Sequence, residues 1–67
     1  MSSILTNREK EIFDLLVQNK TTKEIANILY ISEKTVRNHI SNVMGKLSVR
    51  GRSQAVCELL RMKEIFL

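Results

Sequence analysis

Apolar residues recur along this chain at helical spacing rather than in the alternation that marks strands. Ile12, Phe13, Leu16 and Val17, with Leu15 at the margin, make one wide face. That face predicts a first helix over about 7–18. Ile25, Ala26, Ile28 and Leu29 give the apolar side of a shorter helix over about 22–29. Val36, Ile40, Val43 and Leu47 follow i, i+4, i+7, i+11 and form one narrow stripe, predicting a third helix over about 33–47. Ala55, Leu59 and Met62 make the inward stripe of a fourth over about 52–62, while Val56, Cys57 and Leu60 fall on a second side. The pattern predicts an all-α fold of four helices. No linker, repeat or low-complexity run divides residues 1–67 into more than one domain.

Polar punctuation fixes the joints between these helices. Thr6-Asn7-Arg8-Glu9 and Thr21-Thr22-Lys23-Glu24 are capping boxes, in which a threonine hydroxyl and a glutamate carboxylate each accept from the other residue's backbone N–H. Asn19 suits a left-handed helix end. Ala26 is small enough to let the next helix cross closely. Tyr30-Ile31-Ser32 is the break, with Ile31 plugging the corner and Ser32 capping the third helix. Ser48 to Gly51 form a basic loop. A short helix, a tight break and a longer helix make the layout of a helix-turn-helix. At about 1.5 Å per residue the third helix is roughly 22 Å long, enough to cross a DNA major groove.

Charge sharpens this reading. The formal net charge is +4, from 11 Lys and Arg against 7 Asp and Glu. Residues 34–57 hold Lys34, Arg37, Lys46, Arg50 and Arg52 and no acid, whereas Glu9, Glu11, Asp14, Glu24 and Glu33 precede them. A basic half beside a mixed half is the footprint of a polyanion-binding surface, the plain alternative being a solvated lysine-rich face. Cys57 is alone, so no internal disulfide staples the small core, and a reducing, cytoplasmic setting is expected. MSSILTNREKEIF has no long apolar run, which predicts neither a signal peptide nor a membrane span. The initial Met and short polar lead favour a complete protein over an excised output domain.

The enzyme inventory is missing. There is no Gly-rich phosphate loop, no nucleophile–base pair and no metal-ligand cluster, so no cofactor, metal or small-molecule ligand is expected. Glu9, Glu11 and Asp14 lie together on a short surface helix and read as solvated. His39, at the edge of the apolar stripe, reads as a packed or phosphate-contacting imidazole.

The candidate chemistry therefore lies on the third helix. Lys34, Asn38 and Ser41 stand nearly opposite its stripe, with Gly45 at the far end and Arg37 and Asn42 flanking. Arg37 can fork two donors to guanine O6 and N7, or contact a phosphate. Lys34, in the first turn, can read guanine or neutralise a phosphate. Asn38 can pair with adenine N6 and N7, and Ser41 permits close approach. Glu33 can accept from cytosine N4 or simply offset the helix dipole. Phosphate contacts are expected from Thr21, Thr22 and Lys23 at the start of the second helix and from Ser32 and Thr35 at the start of the third. Lys46, Arg50 and Arg52 would add charge, with Arg52 also a candidate for tying the fourth helix to the rest.

These residues resemble the LuxR-type helix-turn-helix family. Leu5-Thr6, Arg8-Glu9 and Glu11 match its opening, and Glu24-Ile25-Ala26, Leu29, Ile31-Ser32, Thr35-Val36-Arg37 and His39 its centre. Lys46-Leu47, Val49, Arg52 and Ala55 match its end. The family often has glycine where Asn19 and Ser48 stand. The resemblance implies a transcription regulator that places its third helix in the major groove, with Arg37 at the groove. Within the family the chain is similar to stand-alone regulators of late sporulation genes, which lack a receiver or ligand-binding domain. An activator of this kind would also meet RNA polymerase.

A fourth helix apolar on two sides has more to bury than a small monomer covers. Val56, Cys57 and Leu60 are thus the expected homodimer interface, which would set two recognition helices about 34 Å apart on a roughly palindromic duplex. The alternatives are a protein-interaction module that pairs with a larger regulator, or the liberated output domain of a response regulator.

Overall fold

A computed structural model describes residues 3–67; Met1 and Ser2, including the reading of Met1 as a natural start, lie outside the described residues. Four helices follow one another: α1 (Asn7–Val17), α2 (Thr22–Leu29), α3 (Glu33–Leu47) and α4 (Arg52–Arg61). Among the described residues there is no strand, and no helix is long and apolar enough to cross a membrane.

The helix starts are set by local side chains. The Thr6 hydroxyl accepts from Glu9 N–H at 3.2 Å, and the Thr6 N–H donates to Glu9 Oε1 at 2.8 Å. Thr21 and Glu24 repeat the pattern at 3.1 and 2.8 Å. Ser32 Oγ accepts from Thr35 N–H at 3.0 Å. Gly51 brings no side chain to the start of α4, so Gln54 reaches back and accepts from Arg50 N–H at 3.1 Å.

The helix ends share one device. Asn19, Tyr30, Ser48 and Lys63 all take left-handed backbone, with φ of 67°, 58°, 55° and 61°, and neither glycine does. After α1, Asn19 N–H reaches Leu16 O and Lys20 N–H reaches Leu15 O. After α3, Val49 N–H reaches Met44 O, and after α4 Glu64 N–H reaches Leu59 O. These bonds satisfy carbonyls that a helix end leaves without partners. Asn19 is well suited to the conformation; tyrosine, serine and lysine hold it at a steric cost.

The core forms around α3, which packs against each of the other three helices. Val36, Ile40 and Val43 are buried, and Leu47 packs at the margin. They meet Ile12 and Phe13 of α1, Ile25 and Ala26 of α2, and Ala55 and Leu59 of α4. Ile31 is half-buried at the corner.

Three expectations need correction. Ile28 is 48% exposed, because α2 turns Ile25 and Ala26 inward and leaves Ile28 on the rim. Met62 is also exposed: α4 ends at Arg61, and beyond the left-handed Lys63 it is Ile65 that is fully buried in the core. Glu9 is not solvated but buried, and it is the one buried charged residue among those described. Its Oε1 accepts from both Thr6 N–H and Lys46 Nζ, the latter at 2.6 Å. Lys46 Nζ also donates to Ile4 O at 3.2 Å, so one ammonium ties the N-terminal segment, α1 and the last turn of α3. That N-terminal segment also meets the far end of the chain, where Ser3 hydrogen-bonds Glu64.

The left-handed stop at Ser48 gives a direct test. Ser48 is exposed, and its side chain makes no hydrogen bond among the described residues. Ser48→Gly should raise stability by about 0.5–1 kcal/mol, because relief of the steric cost outweighs glycine's added freedom in the unfolded chain. Urea unfolding measures it, and a drop in the midpoint would contradict this origin of the α3 exit.

Candidate nucleic-acid interface

The interface is built from the two helices around Tyr30. Its left-handed backbone (φ 58°, ψ 43°) turns the chain within three residues, and Ile31 N–H closes the turn on Ala26 O at 3.1 Å. Ala26 and Ile25 face inward, so α3 crosses α2 with its stripe down and its opposite face out. Ser32 then fixes the first turn of α3, also donating its hydroxyl to Thr35 Oγ1 at 2.9 Å.

On the outer face, Lys34, Arg37, Asn38, Ser41, Asn42 and Gly45 are all exposed. Among the described residues, no hydrogen bond or ion pair joins these side chains to another helix. Arg37 has a partner on its own helix, Glu33, with Nη1 to Oε1 at 3.8 Å. A Cβ at Gly45 would meet nothing within 4 Å, so the core does not require a glycine there. This flat, donor-rich strip, free of commitments to the fold, can address an external ligand along its whole length.

The flanking candidates divide into three groups. Lys23 and Arg50 are exposed. Ser32, Thr35 and Thr21 already serve the caps, and Glu24 lies beside Thr21. Hydrogen bonds from the Thr21 backbone and hydroxyl hold the Glu24 carboxyl below the usual carboxylate range, so a negative charge stands at the entrance of α2. Arg52 Nη1 donates to Thr22 Oγ1 at 2.9 Å, joining the first residue of α4 to the first residue of α2. Arg52 therefore has the tying role.

Lys46 has a partner within the fold. It lies on the flank of α3 above α1, with its ammonium on the Glu9 carboxylate. Burial pushes the Glu9 carboxyl up, but the Lys46 ammonium and the Thr6 bonds together outweigh it and hold the group below its ordinary value. The Lys46 ammonium is thus engaged by a carboxylate of the fold before any phosphate reaches it. Sequence spacing placed Lys46 beside Arg50 and Arg52 but could not show which acid α1 would bring to it. Gln54, whose Oε1 accepts from Arg50 N–H in the basic loop, is marked by no motif of the sequence.

On α4, Val56 and Leu60 are half-buried and Cys57 is exposed. With Leu16, Val17 and Leu67 they form the apolar part of an open groove of about 360 Å³ between α1 and α4, whose rim carries Asn19, Lys20, Arg52 and Ser53. His39 is half-buried, and no cluster of metal-ligating side chains occurs among the described residues.

A capped helix, a left-handed turn and a second helix with one face buried and the other free and basic define a helix-turn-helix DNA-binding domain. Comparison with known proteins makes this specific. The model of the GerE family, "Bacterial regulatory proteins, luxR family", matches residues 3–59, and the chain belongs to that family. It is a DNA-binding transcriptional regulator. Over 62 residues it is 74% identical to spore germination protein GerE of Bacillus subtilis, covering 92% of this chain and 84% of GerE. The solved structure of transcription factor GerE superposes with a TM-score of 0.94 over 97% of both chains, at 62% identity. The transcriptional regulatory protein DegU of Brevibacillus brevis is 47% identical over 58 residues, 87% of this chain but only 25% of DegU. The chain thus spans most of GerE and about a quarter of the longer DegU.

The tie between Lys46 and Glu9 is testable. Lys46→Met should lower stability by about 1–3 kcal/mol by leaving Glu9 buried beside a methyl group. It should leave the dependence of DNA affinity on salt unaltered, whereas loss of a phosphate contact would flatten that slope by about one unit. The wild-type chain should keep its stability above the ordinary carboxylate range. It should lose the Glu9 contribution as the pH falls through the lowered Glu9 value, because the unfolded chain takes up that proton first. In Lys46→Met that acid-side loss should shrink, read from urea midpoints between neutral and acid pH.

Proposed function

We propose that the chain binds duplex DNA as a homodimer, each copy laying α3 in a major groove of one half-site. The observation that carries this reading is the outer face of α3, whose Lys34, Arg37, Asn38 and Ser41 are exposed and unattached to any other helix. Arg37 and Lys34 would read guanine, Asn38 adenine, and Ser41 would mark close approach. Thr21, Thr22, Lys23, Ser32, Thr35, Arg50 and Arg52 would hold the phosphate backbone. Two copies would join through Val56, Cys57 and Leu60, closing the apolar groove and spacing the recognition helices about 34 Å apart. Buried there, Cys57 would act as a small apolar side chain.

The 74% identity to a protein named for spore germination supports a role in late sporulation. Regulation of that kind in the bacterial cytoplasm would bring the DNA-bound dimer to RNA polymerase when it activates.

Selection of preferred sites from random duplex DNA tests the reading as a whole. Two inverted half-sites one helical turn apart are expected, and absence of any enriched sequence would defeat it. Arg37→Ala should cost roughly 1–3 kcal/mol at the selected site and relax preference at one base pair of each half-site. A fall that is equal for all sequences would make Arg37 a phosphate contact. Leu60→Asp should weaken dimerisation and site affinity together, as sedimentation and band-shift titrations will show. An unchanged dimer constant would move the interface elsewhere.

A further inference from the structure

Glu33 is an acid on the rim of a surface built for a polyanion. It is the first residue of α3, half-exposed, and the last acid before the acid-free run 34–57. Beside phosphates its charge opposes binding, and outside α3 nothing among the described residues pairs with it. Ser32 alone makes the N-cap bond, and no residue outside α3 touches the Glu33 carboxylate in an ion pair or hydrogen bond among those described. A favourable interaction with the helix dipole explains an acid at this position, though not its direction. The carboxylate leans one turn along the helix to Arg37, Oε1 to Nη1 at 3.8 Å, with the acid N-terminal to the base, the favoured order for an i, i+4 pair.

We propose that Glu33 is a positioning residue for base recognition, and that it makes Arg37 a reader of sequence rather than of charge. This rests on the reading of Arg37 as a base contact. A guanidinium carries five N–H donors in a rigid plane. Glu33 engages Nη1 and leaves the rest of the fork free for guanine O6 and N7. An Arg37 without that tether is free to swing to the nearest phosphate, which binds every sequence alike. In free solution an exposed pair of this kind contributes little. Between protein and DNA water is displaced and the same pair strengthens, so the tether tightens where it is needed. The carboxylate also repels phosphates, which lowers affinity for unrelated DNA and widens the gap between right and wrong sites.

The test is a cycle of four full-length proteins: wild type, Glu33→Gln, Arg37→Ala and the double variant. Each is titrated against the selected site, the site with the Arg37 base pair changed, and an unrelated duplex. Glu33→Gln keeps length and helix start but removes the charge, and thermal unfolding of each variant reports the fold separately. The expected result is that Glu33→Gln binds unrelated DNA a few-fold more tightly. It should also lose most of the roughly 10-fold preference that one bidentate arginine supplies at its base pair. In the Arg37→Ala background the same change should leave base preference unmoved. Preference unchanged by Glu33→Gln overturns the proposal while leaving Arg37 as a reader. A loss that persists without Arg37 also overturns it, showing that Glu33 reads a base itself. If Arg37→Ala alters no base preference, the reading beneath the proposal fails and the proposal falls with it.

Discussion

Everything in this small fold depends on burying one stripe of α3. Val36, Ile40 and Val43 are at most 1% exposed, and α1, α2 and α4 contribute their buried residues to the same cluster. Removal of a side chain of this kind costs on the order of 1–5 kcal/mol, depending on its size and on how far the site collapses. For a chain of 67 residues that is a large part of the stability available. The constraint is also functional. A helix held by a narrow stripe leaves most of its circumference free, and the free part is where Lys34, Arg37, Asn38 and Ser41 stand. The core and the exposed basic face are two sides of one periodicity, so a slip of one residue along α3 would lose both.

The stripe fixes the rotation of α3, while ionic and polar bonds fix its ends. Ser32 sets the beginning. At the far end the Lys46 ammonium holds the Glu9 carboxylate and the Ile4 carbonyl, anchoring the last turn to α1 and the segment before it. Arg52 makes a similar tie between α4 and α2 through Thr22. Two basic residues of the acid-free stretch are therefore partly committed to architecture. The net positive charge overstates what faces DNA, and the pairs matter more than the sum.

What the sequence could reveal follows the range of the interactions. Caps act over three residues, so Thr6, Glu9, Thr21, Glu24 and Ser32 could be placed from the string alone. The stripe of α3 repeats over fifteen residues, and its outward complement is equally readable. Ile28 and Met62 failed because hydrophobicity marks a side chain as able to be buried without saying whether another helix reaches it. Ile65 could not be seen because its burial depends on the left-handed Lys63, and nothing about a lysine announces a positive φ. Glu9 and Lys46 are thirty-seven positions apart, so their meeting exists only once α1 and α3 are packed. The exposed face of α3 was easier because its members share one helix.

The four left-handed helix ends show how such a domain can specify its turns without glycine. Each carries side chains that pack beyond the turn: Ile31 after Tyr30, Val49 after Ser48 and Ile65 after Lys63 are half-buried or buried, and Lys20 after Asn19 is half-buried. The residue at the turn bears the steric cost and the residues beyond it gain the burial, which couples each turn to the core. At Tyr30 this coupling has a direct geometric consequence. The backbone that brings Ile31 into the corner also sets the angle at which α3 leaves α2, and that angle decides whether the free face of α3 stands clear of α2. A substitution at the turn can therefore alter recognition without touching a single residue of the recognition face.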